Sequence, residues 1–383
     1  MSRYSQLCPV YFGNGEINRT GEIAKELGMT KVLLVTEKSI MKFGIPQKAI
    51  SSLEAAGIQV AVYDGVMMDA PDTTVIEGTR LAQEMGADGI IGCGGGSTLD
   101  TGKGISLYAT NNDSVALKQI IHFEVAPQSL KPAIKSIMIP TTSGTGSEST
   151  FVAVITDTDT HQKCGCLVTA AAAIVDPDLT VGLCPEVTAY TGMDAFSHCN
   201  EALCNVGPNP HSDTLAINAI ERIYKWLPVA VKDVNNVEAR RNLAIASNFA
   251  GIAFQDSQVN VGHAMAHALG ARLHIPHGIG CALVTPSVIE LVASARPDVY
   301  MQIAKIFELK TTEEALPKAL AEAVRGFNRE IGISSIRALG FTREQVMDTV
   351  SYAMGEMMRM GCIVQQDEEV LARMMAQVFD LYE

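Results

Sequence analysis

The sequence predicts two domains of different class: an α/β domain with a parallel sheet and a dinucleotide-binding design over residues 1–182, and an all-helical domain over 183–383. Three observations predict this. The first half alternates short apolar runs with longer amphipathic ones, the pattern of parallel strands joined by crossover helices. The second half carries only helical spacing of apolar residues, with Gly, Pro or Asn between segments. Finally, 383 residues are too many for one small core, so two domains are the natural division.

In chain order, KVLLVT (31–36) reads as a strand buried on both faces, and a helix is expected from about Pro46 to Ala56. IQVAVYD (58–64) is the next strand, and TTVIEGTRLAQEMG (73–86) is a helix closed by Gly86. Residues 88–109 spell a strand, a glycine turn and a helix, and SIMIPTTSGTGSEST (136–150) repeats that design with a threonine-rich turn. FVAVITD (151–157) and AAAIVDPDL (171–179) are further strands, the first in a hairpin closed near His161-Gln162-Lys163. No strand is expected after Gly182. Helices are expected over 186–204, 211–231, 238–255, 262–273, 297–308, 312–331, 342–359 and 367–382.

Composition narrows the function. A net charge of -13 offers phosphates no basic stripe, which argues against a nucleic-acid partner. The nine cysteines are scattered and include no CxxC pair, so reduced thiols in a cytoplasmic protein fit better than a disulfide framework or a thiolate zinc site. The start, MSRYSQLCPVYFGNG, lacks the apolar run of a signal peptide, and no stretch reaches the roughly 18 apolar residues of a membrane helix.

Gly94-Gly95-Gly96-Ser97 sits between a strand and a helix, where backbone N–H groups can approach a pyrophosphate with no side chain in the way. Ser97 is placed to cap the helix and donate to phosphate. Taken alone the loop also reads as a tight strand–helix turn, since it is not the GxGxxG fingerprint. The second turn, Thr141-Thr142-Ser143-Gly144-Thr145-Gly146-Ser147, adds hydroxyl donors suited to a ribose or nicotinamide, so the pair favours a dinucleotide. Glu37, directly after the first strand, can accept from an adenosine ribose and would repel a 2′-phosphate, which selects NAD over NADP.

Half of the eight histidines fall in GHAMAHALGARLHIPHG (262–278). His263 and His267 are four apart, so both imidazoles project from one helix face, and Pro276 helps fix a turn that returns His277 towards it. Upstream, Asp194 and His198 are also four apart. Two such pairs plus one loop histidine can surround a divalent ion. One lone histidine would read as hydrogen-bonded core, but several buried imidazoles compete for few partners.

Together these residues are a recognisable set. GGGSTLDTGK (94–103), IPTTSGTGSE (139–148), DPDL (176–179), TGMDAFSH (191–198) and GHAMAHALGARLHIPHG (262–278) occur in this order, and the chain resembles the iron-containing (group III) alcohol dehydrogenases, with lactaldehyde reductase- and 1,3-propanediol dehydrogenase-like relatives. The resemblance runs from Phe12-Gly13 to the C-terminus. It implies the two-domain architecture shared with dehydroquinate synthase, with the active site in the cleft, and an NAD(H)-linked alcohol dehydrogenase or aldehyde reductase. It maps metal ligands onto Asp194, His198, His263 and His277, with His267 beside them as a catalytic residue that contacts substrate or relays protons, a role a ribose hydroxyl with water could also fill. It implies cofactor contacts at Glu37, Gly95, Gly96, Ser97, Thr141, Thr142, Ser143, Val154, Lys163 and Leu179, and a substrate pocket lined by Phe254 and Cys362. Asp100 and Lys103 would orient the glycine loop. Ala70-Pro71 stands where family members often carry Asn-Pro, which puts one cofactor contact in doubt.

Three imidazoles and a carboxylate suit Fe²⁺, with Zn²⁺ as a substitute. The expected substrate is a short polar or anionic aldehyde or alcohol, with Arg272 and His274 as candidate partners for an anion. The resemblance also implies a homodimer or larger homo-oligomer. Two alternatives stay open from the residues alone: an NAD- and metal-dependent lyase of the dehydroquinate-synthase type, and a non-catalytic NAD- and metal-binding scaffold.

Overall fold

The apolar runs of the first half become strands whose neighbouring residues face opposite ways, as the two-residue period requires. The computed structural model describes residues 4–382. Its strands are β1 (Val10–Phe12), β2 (Lys31–Val35), β3 (Gln59–Tyr63), β4 (Gly89–Gly94), β5 (Lys135–Pro140), β6 (Val152–Thr156), β7 (Lys163–Leu167) and β8 (Ala172–Val175). Six of them form one sheet in the order β1-β8-β5-β4-β2-β3, parallel at every pairing. β6 and β7 form a separate antiparallel hairpin, as the sequence anticipates. The chain divides into two compact units: Gln6–Thr142 with Gly146–Thr180, and a second that takes Ser143–Thr145 and the chain from Val181 onward, with Tyr4 and Ser5.

In the first unit, helices α1 (Thr20–Glu26), α2 (Lys38–Lys42), α3 (Ile45–Ala55), α4 (Asp72–Met85), α5 (Gly96–Tyr108) and α6 (Leu117–Ile121) join the strands. Val32 and Leu34 pack with Ile23 of α1 and Leu53 of α3, while Leu33 and Val35 pack with Val75 of α4 and Ile105 of α5. The central strands are therefore buried on both faces, which is why their sequences are nearly continuous apolar runs. β2, β4 and β5 are neighbours, so Glu37, the 94–97 turn and the 141–147 turn follow the C-terminal ends of adjacent strands, where open α/β sheets bind ligands.

One strand–turn–helix expectation fails. After β5 the chain makes only a short 3₁₀ turn, Ser147–Ser149, before entering β6. The β-branched run FVAVIT claims the residues a helix would need.

The hairpin turn is held by a buried carboxylate. Asp157 accepts from Thr160 Oγ1 at 2.9 Å and from the Asp159 N–H at 3.0 Å, and meets Lys118 Nζ and His122 Nε2, each at 2.9 Å. The hydrogen bond from Lys118 chiefly holds this carboxyl below the ordinary range, against the upward push of burial. A depressed carboxylate stabilises the fold above its unfolded value of about 3.9, and that stability is lost as pH falls through the folded value. Asp157→Asn is therefore expected to cost about 1–3 kcal/mol at pH 7, with the gap to the native chain closing below about pH 4. Denaturation midpoints across pH check this; a gap constant from pH 7 to pH 2 would refute it.

The second unit is helical: α7 (Pro185–Leu203), α8 (Pro210–Lys232), α9 (Val237–Ser257), α10 (Val261–Leu273), α11 (His277–Val292), α12 (Pro297–Ile306), α13 (Leu316–Glu330), α14 (Arg343–Met347), α15 (Val350–Gly355) and α16 (Glu368–Asp380). No strand is found there among the described residues. The expected helix over 342–359 is broken into α14, α15 and a 3₁₀ turn, Met357–Gly361. The main surprise is α11, a sixteen-residue helix with no counterpart in the sequence reading. It is buried on almost every side, so its apolar residues run all round and leave no amphipathic stripe to detect. No helix among the described residues is long and apolar enough to cross a membrane.

Candidate functional site

Three helices of the second unit each present a pair of residues four apart. α7 gives Asp194 and His198, α10 gives His263 and His267, and α11 gives His277 and Cys281. His277 is thus the first residue of a helix rather than a loop residue. His274 ends α10 in the left-handed conformation, and Pro276 sets the entry to α11 after a three-residue link. Gly278 is required at that crossing, because a Cβ there would lie 2.3 Å from the Tyr190 carbonyl oxygen of α7.

Members of all three pairs converge on one atom. Asp194 Oδ1 lies 3.4 Å from His277 Nε2, 3.8 Å from His263 Nε2 and 3.9 Å from His198 Nε2. It is a buried carboxylate oxygen without a hydrogen-bond partner, which is costly unless a cation completes the group. The donor set of one carboxylate and several imidazoles suits a divalent transition metal, so the residues fit such an ion. Burial pushes the His198 imidazole down to about 4, against the opposing charge of Asp194, so it stands neutral, as a metal ligand must.

His267 sits beside this cluster, its ring 5.5 Å from that of His277 and its Nδ1 3.8 Å from Glu356 Oε1. Phe254 stacks on His198 with ring centroids 4.2 Å apart. Cys362 is fully buried and bridges to Asn205 through its backbone, in the core beside Cys204. Arg272 and His274 are exposed.

The sequence reading missed Glu201. It lies seven residues after Asp194 on the same face of α7 and is fully buried. Its Oε2 meets His263 Nδ1 in a short hydrogen bond, and its Oε1 accepts from the His263 backbone N–H at 3.0 Å. Burial alone would raise this carboxyl, but His263 and its hydrogen bonds outweigh that and leave it lowered. An ionised Glu201 therefore holds the His263 proton on Nδ1 and turns Nε2 towards Asp194. A Cβ on Gly262 would come within 2.6 Å of Glu201 Oε1, so the glycine leaves room for the carboxylate. The i, i+7 spacing from Asp194 was the available signal.

In the first unit the glycine turn opens α5 with Gly95 as the N-cap and no side-chain cap. Thr98 and Leu99 donate their N–H groups to the Gly95 carbonyl, which leaves those of Gly96 and Ser97 to an outside acceptor. Gly94 is needed for space, since a Cβ there would stand 2.4 Å from Thr98 Oγ1. Ser97 does not cap the helix: its Oγ accepts from the Asp69 backbone N–H at 3.0 Å. Asp69 also pairs with Lys163 Nζ at 2.8 Å, and the Thr156 hydroxyl donates to the Asp69 carbonyl at 2.6 Å. These contacts gather the 69–71 loop, the start of α5 and the β6–β7 hairpin. Ala70 is held there at φ 45, a left-handed conformation in which Ala is strained and Asn is better tolerated.

Lys103 is buried on α5. Its Nζ donates to the Ser147 carbonyl at 2.8 Å, to Thr150 Oγ1 at 3.2 Å and to the Val152 carbonyl, and lies 3.7 Å from Asp100. Asp100 in turn accepts from Ser147 Oγ at 2.6 Å. The pair therefore fixes the end of the 141–147 turn. Thr141 and Thr142 belong to the first unit and Ser143 to the second. Glu37 precedes α2 as its extended N-cap, Val154 is half-buried on β6, and Leu179 is buried after β8.

Comparison with known proteins decides the family. Residues 9–177 match the model of iron-containing alcohol dehydrogenases, and residues 188–379 match the C-terminal model of the same family. The chain belongs to the iron-containing alcohol dehydrogenase family. Among its relatives are choline dehydrogenase of Bacillus subtilis (strain 168), 36% identical with 82% of this chain and 78% of the relative covered, and lactaldehyde reductase of Escherichia coli (strain K12), 33% identical with 88% of each covered. The crystal structure of a 1,3-propanediol oxidoreductase superposes with a TM-score of 0.93 at 32% identity, covering 98% of this chain and all of that one. This member of the iron-containing alcohol dehydrogenases is a metal- and NAD-dependent oxidoreductase acting on an alcohol or aldehyde. The lyase and scaffold alternatives are set aside accordingly.

Proposed function

We propose that this enzyme interconverts a short, hydroxyl-bearing aldehyde and its alcohol with NAD(H), on a metal centre of Asp194, His198, His263 and His277. The observation that carries the reading is the convergence of three imidazole Nε2 atoms on the orphaned Asp194 Oδ1, at 3.4 to 3.9 Å. The ion is Fe²⁺, with Zn²⁺ as a substitute; when bound it supplies a Lewis acid for the substrate oxygen. NAD supplies the hydride chemistry.

The chain's own residues position and neutralise. Glu201 fixes the His263 tautomer, so the ligating nitrogen faces Asp194. His267, close to both His277 and Glu356, carries the proton between the substrate oxygen and solvent. Gly95, Gly96 and Ser97 present the start of α5 to the pyrophosphate, and Glu37 accepts from the adenosine ribose. Thr141, Thr142, Ser143, Val154, Lys163 and Leu179 complete the dinucleotide contacts; Phe254, stacked on His198, lies towards the substrate, whereas the buried Cys362 packs in the core behind it. Choline, lactaldehyde and 1,3-propanediol, named for the relatives, are all small and polar, while the exposure of Arg272 and His274 weakens the case for a bound anion. The nine cysteines form no disulfide, which suits a cytoplasmic protein, and the family resemblance favours a homo-oligomer.

The test is a panel of aldehydes with NADH on Fe²⁺-loaded enzyme purified without oxygen. Aldehyde-dependent loss of NADH absorbance is expected, with kcat/KM highest for neutral hydroxylated members. Absorbance that never changes would sink the reading, and a consistent preference for sulfonated or carboxylated aldehydes would overturn the substrate class.

A further inference from the structure

The α11 pair holds a donor outside the set proposed above. Cys281 lies one turn after His277 and is fully buried, with its Sγ 3.6 Å from His277 Nε2 and 3.9 Å from His263 Nε2. Asp194, His263, His277 and Cys281 each offer one ligand atom, and all four atoms lie within 4.8 Å of one another. Around one ion with bonds of about 2.0–2.3 Å, neighbouring donors stand roughly 2.8–3.6 Å apart, closer when six donors share it than when four do. The separations of 3.4 to 3.9 Å lie at and just beyond the wide end of that range, so small side-chain shifts bring the donors onto one ion. The buried, partnerless Asp194 Oδ1 is an independent sign that a cation belongs at this point.

We propose that Cys281 is a further metal ligand, alongside His198, and that its sulfur shifts the centre's preference from Fe²⁺ towards Zn²⁺ and other thiophilic ions. This rests on the metal reading given above. On binding, the S–H proton passes to solvent as the sulfur–metal bond forms. Sulfur is a softer donor than imidazole or carboxylate, so its presence favours zinc and cobalt over iron. The thiol escapes a sequence reading because Cys281 sits in an unbroken apolar run, where it passes for a small core residue.

The test replaces the ion with Co²⁺ in the full-length protein and reads the near-ultraviolet spectrum, where a cobalt–thiolate bond gives a charge-transfer band. One Co²⁺ per chain with that band is expected in the native sequence. Cys281→Ser and Cys281→Ala should keep the ion and lose the band. Their zinc-over-iron preference in competition should fall about tenfold or more. One Co²⁺ bound to the native chain without the band overturns the thiolate ligand and leaves the metal centre standing; this arm needs no variant to fold. A band that persists in both variants also overturns it, since the sulfur would lie elsewhere. Failure of the native chain to bind stoichiometric Co²⁺ overturns both the ligand and the metal reading.

Discussion

His277→Ala is expected to lower turnover by about 10³-fold or more while leaving NADH affinity near that of the native enzyme. The magnitude follows from losing several kcal/mol of Lewis-acid stabilisation when the ion goes. His277 is the cleaner of two variants. Its side chain is 27% exposed, whereas that of His263 is 4% exposed and pairs with the fully buried Glu201. Removing His263 would strand that carboxylate and add a stability cost of about 3–5 kcal/mol to the loss of activity. His277→Ala should fold, bind NADH and fail to retain one ion per chain. Metal analysis, NADH titration and steady-state kinetics on the same preparation check each part. Native activity in His277→Ala would remove the metal assignment. Glu201→Gln supplies the graded case. The His263 tautomer loses its charged partner but the ligand atoms remain, so metal affinity should fall about 10- to 100-fold rather than vanish.

The reach of the sequence can be read from these same residues. Asp194, His198, His263 and His267 stand out because polar residues four apart in otherwise apolar helices have no cheap structural explanation. Glu201 does not stand out, because glutamate on a helix is usually solvated; only its burial against His263 distinguishes it. Cys281 and the whole of α11 were hidden by the opposite effect, since a helix buried all round has no stripe and its period is invisible. Ser97 looked like a helix cap because the path of the 64–71 loop, which delivers the Asp69 N–H to it, depends on tertiary contacts with the β6–β7 hairpin. The sheet was read correctly where strands were long and missed at β1, whose three residues pair with β8 from the other end of the unit.

Lys103→Met is expected to destabilise the first unit by about 3–5 kcal/mol and to raise the KM for NADH more than it lowers kcat. A fully buried ammonium is expensive unless its hydrogen bonds are complete. Burial lowers the affinity of Lys103 for its proton and nearby Asp100 opposes that, while burial raises the Asp100 carboxyl. Each charge is therefore tolerated because the other is there. Methionine fills nearly the same volume, so the loss is electrostatic rather than a cavity: two carbonyls, of Ser147 and Val152, lose their charged donor and are left to share the Thr150 hydroxyl, and Asp100 loses its counter-charge. The same atoms anchor the turn from Thr141 to Ser147, so its hydroxyl donors should lose their fixed positions together. Adding Asp100→Asn to Lys103→Met removes the stranded charge and should recover part of the stability without recovering the cofactor affinity. Thermal unfolding and NADH titration of the single and double variants separate the two effects. Equal recovery of both would mean that Lys103 acts on NAD only through the stability of the unit.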